Sequence, residues 1–409
     1  MINIRMTTFQ QNLYMLKDIF TSKYWLIVSL CGAFFTFYAL NRGGVVVFIE
    51  ACFVILIINI LAKEYQLKHL PNSYWLVIAT CAYLLCISVI FHFQISYYRW
   101  MANIIRMLIV VLTIHCLSEK KLEGWSINFF FGVVAIAVCW QSTAYYVFKM
   151  KYGTFTNAHY LSVFTMLSLP IFAFAIMSMK RWYRYLFVPV ILINADLLLS
   201  IESRPAFIAL TVGTIFGILS LNKSRKKWIY LSLLCVLTAA ILFLDYGGVY
   251  SRFENFIDTW SEEGRLKRWQ DALNMLKDNS VLTWIIGNGI GSYRLFYLKY
   301  LSPGLSHQIF PHMHFLEILY ENGIIAAVLL FGGFLLLFVR AIKFTFNTPH
   351  RNGRILVQCL IVMLLSWVIH AGLTFPFYSK YSLYSLAFII GTLLAVLEKP
   401  VYKKIERKS

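Results

Sequence analysis

Charge is what this sequence has least of. Asp, Glu, Lys and Arg make up only 13% of the 409 residues, whereas 60% are hydrophobic and the mean hydropathy is +0.69. No water-soluble domain covers itself with so little polar surface, so a chain of this composition takes the bilayer as its solvent. Nucleotide-binding and zinc-protease signatures are missing too: there is no Walker loop, no dinucleotide-binding glycine fingerprint and no HExxH pair. Cytosolic nucleotide chemistry therefore has no visible site. All eight cysteines (Cys31, Cys52, Cys81, Cys86, Cys116, Cys139, Cys235 and Cys359) fall in apolar stretches, and none lies between Asp245 and His314. Disulfides and metal clusters are not expected. No small-residue cleavage site follows the first apolar stretch, which reads as a retained helix rather than a signal peptide.

What the chain has in abundance is apolar runs of about 18 or more residues, each long enough to cross a hydrocarbon core of roughly 30 Å. They are predicted at 24–40, 44–62, 73–91, 100–117, 125–148, 157–179, 184–200, 205–221, 228–245, 316–339, 354–374 and 381–397. The fold class expected is an all-α polytopic membrane protein, with about twelve transmembrane helices and one large periplasmic loop containing short helices. Three parts follow: helices one to nine over 1–245, the loop or lid with an amphipathic helix over 246–314, and helices ten to twelve with a basic tail over 315–409.

Lysine and arginine set the orientation, because short basic loops stay in the cytoplasm. Lys63/Lys68, Lys120/Lys121, Lys180/Arg181/Arg184, the run Lys223–Arg225–Lys226–Lys227, Arg340/Lys343/Arg351/Arg354 and the bases after Glu398 all fall on the side of the amino terminus. Both termini are expected in the cytoplasm. This bias, facing anionic headgroups, accounts for most of the +19 net charge and implies no nucleic acid. The bases in the external loop, among them Lys267, Arg268, Lys277, Arg294 and Lys299, have no such topological reason and invite a search for an anionic ligand.

Three segments at the outer face carry ionisable groups that need a reason. In Ser200–Ile201–Glu202–Ser203–Arg204–Pro205, Pro205 suits the first position of a helix and Arg204 is held at the interface, where it acts either on an anion or as a snorkelling anchor. In Ser261–Glu262–Glu263–Gly264–Arg265–Leu266–Lys267–Arg268–Trp269, Arg265 opens an amphipathic run with Trp269, Ala272, Leu273 and Leu276 at helical spacing. A glycine-rich turn, Gly287–Asn288–Gly289–Ile290–Gly291, follows it; alone, such a turn is weak support for phosphate binding. The third segment runs from Pro311 and His312 into the tenth span and puts His312 at the membrane surface. Histidine accepts a proton near neutrality, as activation of a hydroxyl requires. His307, His314 and His370 fit structural roles as well. Arginine's planar donors hold a diphosphate and neutralise charge on it as it leaves, so two arginines and a histidine on one face suit anion-transfer chemistry.

At these motifs the chain resembles the O-antigen ligase and O-antigen polymerase superfamily of envelope glycosyltransferases. In that family a histidine is followed by an amide residue and, eleven positions on, by glycine. His312, Leu316, Leu319, Glu321 and Gly323 fit that pattern, with Met313 in place of the amide residue and Ala326 where glycine is common. Ser203–Arg204, Gly264–Arg265, Trp269, the glycine-rich turn and Gly153–Thr154–Phe155–Thr156–Asn157 match further family segments.

The resemblance implies a bacterial inner-membrane enzyme whose active site faces the periplasm. Its donor would be an undecaprenyl-diphosphate-linked polysaccharide and its acceptor a sugar hydroxyl of the lipid A core. The catalytic set it implies is His312 as base, with Arg204 and Arg265 on the diphosphate. No metal or other cofactor is implied. Arg99 and Arg106, seven residues apart in the fourth span, and Lys267, Arg268 and His314 are further candidates for substrate contact. The partners implied are the two glycolipids, membrane lipids and other O-antigen assembly proteins. A polymerase joining lipid-linked repeats is the alternative within the family. A transporter or flippase is the alternative outside it, kept open by Glu50, Asp196 and Arg106 within spans.

Overall fold

The computed structural model describes residues 53–54, 56–57, 60, 70–91, 98–118, 124–155, 157–179, 182–201, 203–220, 226–245, 250–251, 265–303, 313–374 and 380–398. The span predicted at 24–40 and nearly all of 44–62 lie outside these residues. The described chain is helical, apart from one short strand. Its helices are α1 (Asn72–Ile90), α2 (Tyr98–Ser118), α3 (Gly124–Tyr146), α4 (Ala158–Ser178), α5 (Phe187–Ser200), α6 (Arg204–Leu219), α7 (Lys226–Phe243), α8 (Arg265–Lys277), α9 (Val281–Ile286), α10 (Ser292–Phe296), α11 (His314–Asn347), α12 (Arg351–Leu373) and α13 (Lys380–Leu397). Helices α1, α4, α11 and α12 are long and apolar enough to cross a membrane, and shorter apolar stretches lie in α2, α6, α7 and α13. Each apolar run predicted from 73–91 onward falls on a described helix, those at 125–148 and 184–200 on α3 and α5, which are in neither of these groups.

Two features depart from the expectation. The run at 184–200 begins as a 3-10 turn, Trp182–Leu186, so α5 is short. A four-residue strand, β1 (Lys151–Thr154), also interrupts the connection before α4. Gln141, fully buried, clamps that strand: its Nε2 donates to Thr154 Oγ1 (2.6 Å) and its Oε1 accepts from Thr154 N (3.0 Å). A buried amide so paired satisfies backbone groups that lipid could not.

Helix α12 is the central post, packed against α4, α6, α11 and α13. Small residues allow the approach of α6: a Cβ on Gly213 would lie 2.3 Å from Ser366 Oγ, and one on Gly217 would lie 2.4 Å from Val362 Cγ2. Ser366 Oγ donates to the Ala209 carbonyl (3.1 Å) and Gln358 Nε2 to the Ser220 carbonyl (3.3 Å). Close helix approach with side-chain to backbone hydrogen bonds is the usual cement where no hydrophobic force acts between helices.

The pairings 209 with 366 and 220 with 358 run antiparallel and set the first turn of α6 level with the C-terminal end of α12. In α4, Pro170 cannot donate within the helix. One turn earlier the Thr165 carbonyl is capped by the buried Asn194 of α5 (3.0 Å). The far end of the bundle is tied by Arg340 and Glu398, 2.7 Å apart, with Ser73 also donating to Glu398.

Candidate functional site

The region between α8 and α11 is organised by a crossing of two backbones. Helix α11 is interrupted at Gly323, whose φ of 70° and ψ of −177° leave the helical region. Into that break fits the turn after α9, where Gly287, Gly289 and Gly291 all have positive φ. A Cβ on Gly287 would sit 2.4 Å from Asn322 Cα, and one on Gly323 would sit 2.5 Å from Gly287 N. Only glycine reaches these conformations without strain, and only glycine leaves room for the approach.

The carbonyls freed by the break are taken up locally. Gly289 N donates to the Glu321 carbonyl (2.6 Å) and Asn288 N to that of Tyr320 (3.2 Å). Tyr83 of α1 sets its hydroxyl within reach of the Ile286 and Asn322 carbonyls (3.2 and 3.3 Å).

The amides of the turn converge on a buried acidic side chain. Gly291 N (2.9 Å) and Tyr293 N (3.2 Å) both donate to Oε1 of Glu321, which is fully buried. These two amides, one on either side of Ser292 at the opening turn of α10, form a cradle for the carboxyl oxygen, while Ser292 N turns back to the Gly289 carbonyl (3.1 Å). The phosphate suggested by the glycine spacing is not what these two amides hold, because the Glu321 carboxylate occupies them.

Helix α8 packs on the first half of α11. The core between them is Ala272, Met275, Leu276, Tyr293, Tyr297 and Tyr320, with Leu316 and Leu319 alongside. The inward stripe of α8 is therefore Arg268, Ala272, Met275 and Leu276, while Leu273, inward by its spacing, is 43% exposed. The neighbours Lys267 and Arg268 part company. Lys267 is exposed, whereas Arg268 is only 4% exposed, with its guanidinium beside the Tyr297 hydroxyl inside the loop core. Arg268 is thus turned away from any ligand at the surface.

Burial, with Asp271 adding to it, pushes the Tyr297 hydroxyl up to about 12. Burial raises Tyr293 further, and a hydrogen bond to Asp278 (2.8 Å) raises Tyr300. Asp271 anchors the end of the loop by accepting from Ser302 N (3.1 Å) and Ser302 Oγ (2.6 Å).

The predicted site residues fall as follows. Arg204 opens α6, half-buried, with Pro205 behind it. The α6 and α12 register sets it level with the end of α12. Arg265 is the first residue of α8; of its side chain nothing is described. His312 lies outside the described residues, immediately before Met313, the residue preceding α11. His314 is 3% exposed, its Nδ1 3.4 Å from Glu317 Oε2 and its ring 6.5 Å from Trp367 of α12. Arg99 sits in the first turn of α2. Arg106 reaches Asn103 (3.4 Å), which also accepts from Tyr384 of α13 (3.0 Å), so Arg106 belongs to a polar knot between helices.

Sequence reasoning left His370 in a structural role and did not bring its neighbours to it. His370, at the end of α12, faces His159 of α4 with ring centroids 6.2 Å apart. His159 follows directly on the Gly153–Asn157 segment, whose Asn157 caps α4 by accepting from His159 N (2.8 Å). With His314 these histidines surround one end of α12. Glu317 and Trp367 complete that end, and no spacing rule ties them to it.

No curated protein matches the chain. The family model described as O-Antigen ligase matches residues 189–331, a stretch that contains Arg204, Arg265, His312, the glycine turn and Gly323. Over that stretch the resemblance to the O-antigen ligase and O-antigen polymerase superfamily stands as a family match, and the chain is a multi-pass membrane protein carrying it.

Proposed function

We propose that the protein is an O-antigen ligase that transfers an undecaprenyl-diphosphate-linked polysaccharide to a sugar hydroxyl of the lipid A core. The observation that favours ligase over polymerase is the charge on the loop. Lys267, Lys277, Arg294 and Lys299 are all exposed there, on a surface for which the positive-inside rule supplies no reason. An acceptor bearing the phosphates of lipid A and core suits such a surface; a second lipid-linked repeat presents only sugar at its acceptor end.

In the reaction proposed, the acceptor hydroxyl gives its proton to His312 as its oxygen attacks the anomeric carbon. The bond from that carbon to the diphosphate oxygen breaks with inversion, and undecaprenyl diphosphate leaves against Arg204 and Arg265. The donor arrives already activated, so the mechanism asks for no metal. Support for grouping these residues comes from the packing. Helix α8, which Arg265 begins, lies on the first half of α11, which His312 precedes by two residues. Arg204 enters at the level where α11 and α12 meet.

Deleting the gene tests the choice. Loss of a ligase leaves long lipid-linked polymer that never reaches core, whereas loss of a polymerase leaves core capped by a single repeat. Transport by the purified protein in vesicles, without glycan transfer, would instead establish a carrier.

A further inference from the structure

Among the described residues, Glu321 is the carboxylate that ties the loop to the membrane helices from inside. Its Oε1 takes two amides of the glycine turn, its carbonyl takes a third, and its side chain has no exposure to solvent. Burying a carboxylate in this way is expensive, and ordinary packing does not ask for it. An apolar residue could fill the same volume, but it would leave the Gly291 and Tyr293 amides unsatisfied.

The position of the latch is informative. Glu321 lies two residues before the Gly323 break, on the segment of α11 that carries His314 and Glu317 at its start. Whatever fixes the turn to Glu321 also fixes the direction in which that segment leaves the bundle. Without the carboxylate, the glycine crossing has shape but no strong polar tie.

We propose that Glu321 is a positioning residue for glycan transfer: its carboxylate, seated in the amide cradle of Gly291 and Tyr293, sets the first turns of α11 against the loop helices. The inference rests on the reading of the protein as a transferase. A small misalignment of reacting groups lowers the chemical step far more than it lowers binding.

The test uses the full chain purified in detergent, with two readouts on Glu321→Ala, Glu321→Gln and Glu321→Asp. The first is hydrogen exchange over residues 287–293, which reads the latch whether or not the protein is a transferase. The second is kcat and KM per folded protein, measured well below each variant's Tm. Expected are faster exchange in Ala and Asp, protection kept in Gln, and a kcat lower on the order of 10²-fold in Ala and Asp with little change in KM. Gln, which keeps an acceptor oxygen in place, restores most of kcat. Asp carries the test if Ala fails to accumulate.

Unchanged exchange in Ala and Asp overturns the latch. Faster exchange with wild-type kcat overturns the positioning role, as does a loss confined to KM. A wild-type protein that protects 287–293 yet transfers no glycan overturns the transferase reading instead.

Discussion

Gly287 and Gly323 meet backbone to backbone, so closely that a Cβ on either would fall within 2.5 Å of the other's stretch of chain. The contact joins the loop to α11 at the point where α11 leaves helical geometry, and it explains why glycine stands at both positions.

The first prediction concerns that crossing. Gly323→Ala must place a side chain at φ 70° and ψ −177° and also push away the Ile285 carbonyl, 2.3 Å from the new Cβ. It is expected to destabilise the protein by about 3 kcal/mol, summing backbone strain and overlap. At Gly332, further along α11, no atom lies within 4 Å of the place a Cβ would take, and Gly332→Ala should be neutral or slightly stabilising. Thermal unfolding of the two variants in the same detergent checks the contrast.

His312→Ala, Arg204→Ala and Arg265→Ala are each expected to abolish transfer while the protein still inserts and accumulates. A lipopolysaccharide ladder, read beside an immunoblot of the membrane fraction, decides each residue separately. Full ladders from any of the three would remove that residue from the mechanism.

Gly213 tests the central post. Gly213→Ala collides with Ser366 Oγ at 2.3 Å and the Val362 carbonyl at 2.9 Å, and should cost about 1–3 kcal/mol by forcing α6 off α12. Adding Ser366→Ala removes the nearer obstacle and should recover part of the loss. Because α6 carries Arg204, transfer activity should fall and recover in step with Tm.

The loop tyrosines predict an alkaline limit. Tyr297 ionises near 10 when unfolded and at about 12 when folded, chiefly because of burial. A raised folded value means that the folded loop holds the proton longer, so its contribution to stability is complete below pH 10. That contribution is lost as pH climbs through the window from about 10 to about 12. Tyr297→Phe should flatten this part of the stability curve, which hydrogen exchange in the loop can follow.

Most of the helical framework was legible in the sequence, because an apolar run of membrane length has few other uses. The run at 73–91 returned as Asn72–Ile90 and that at 354–374 as Arg351–Leu373. The strand at Lys151–Thr154 was not legible, since it depends on a clamp by Gln141 from the preceding helix. The glycine turn could be seen, but its occupant could not. Whether amides hold a phosphate or the carboxylate of Glu321 is decided by which distant segment crosses them.

Lys267 and Arg268 make the same point. By sequence both are candidates for an anionic ligand, yet one of them is buried beside Tyr297 through a helical phase that the apolar spacing did not fix. Within the candidate segments, Pro205 pointed to the start of α6, and the glycine of the histidine segment falls at the break in α11. The surrounding His159, His370 and Trp367 became neighbours only through folding.

The break in α11 also bears on modularity. By chain order the loop ends at His314, yet Leu316, Leu319 and Tyr320 complete its core and Glu321 supplies its anchor. A loop exchanged between relatives at residue 314 would arrive without its own floor. A cassette cut at Gly323, and matched to its own glycine turn, is the unit that can be transplanted whole.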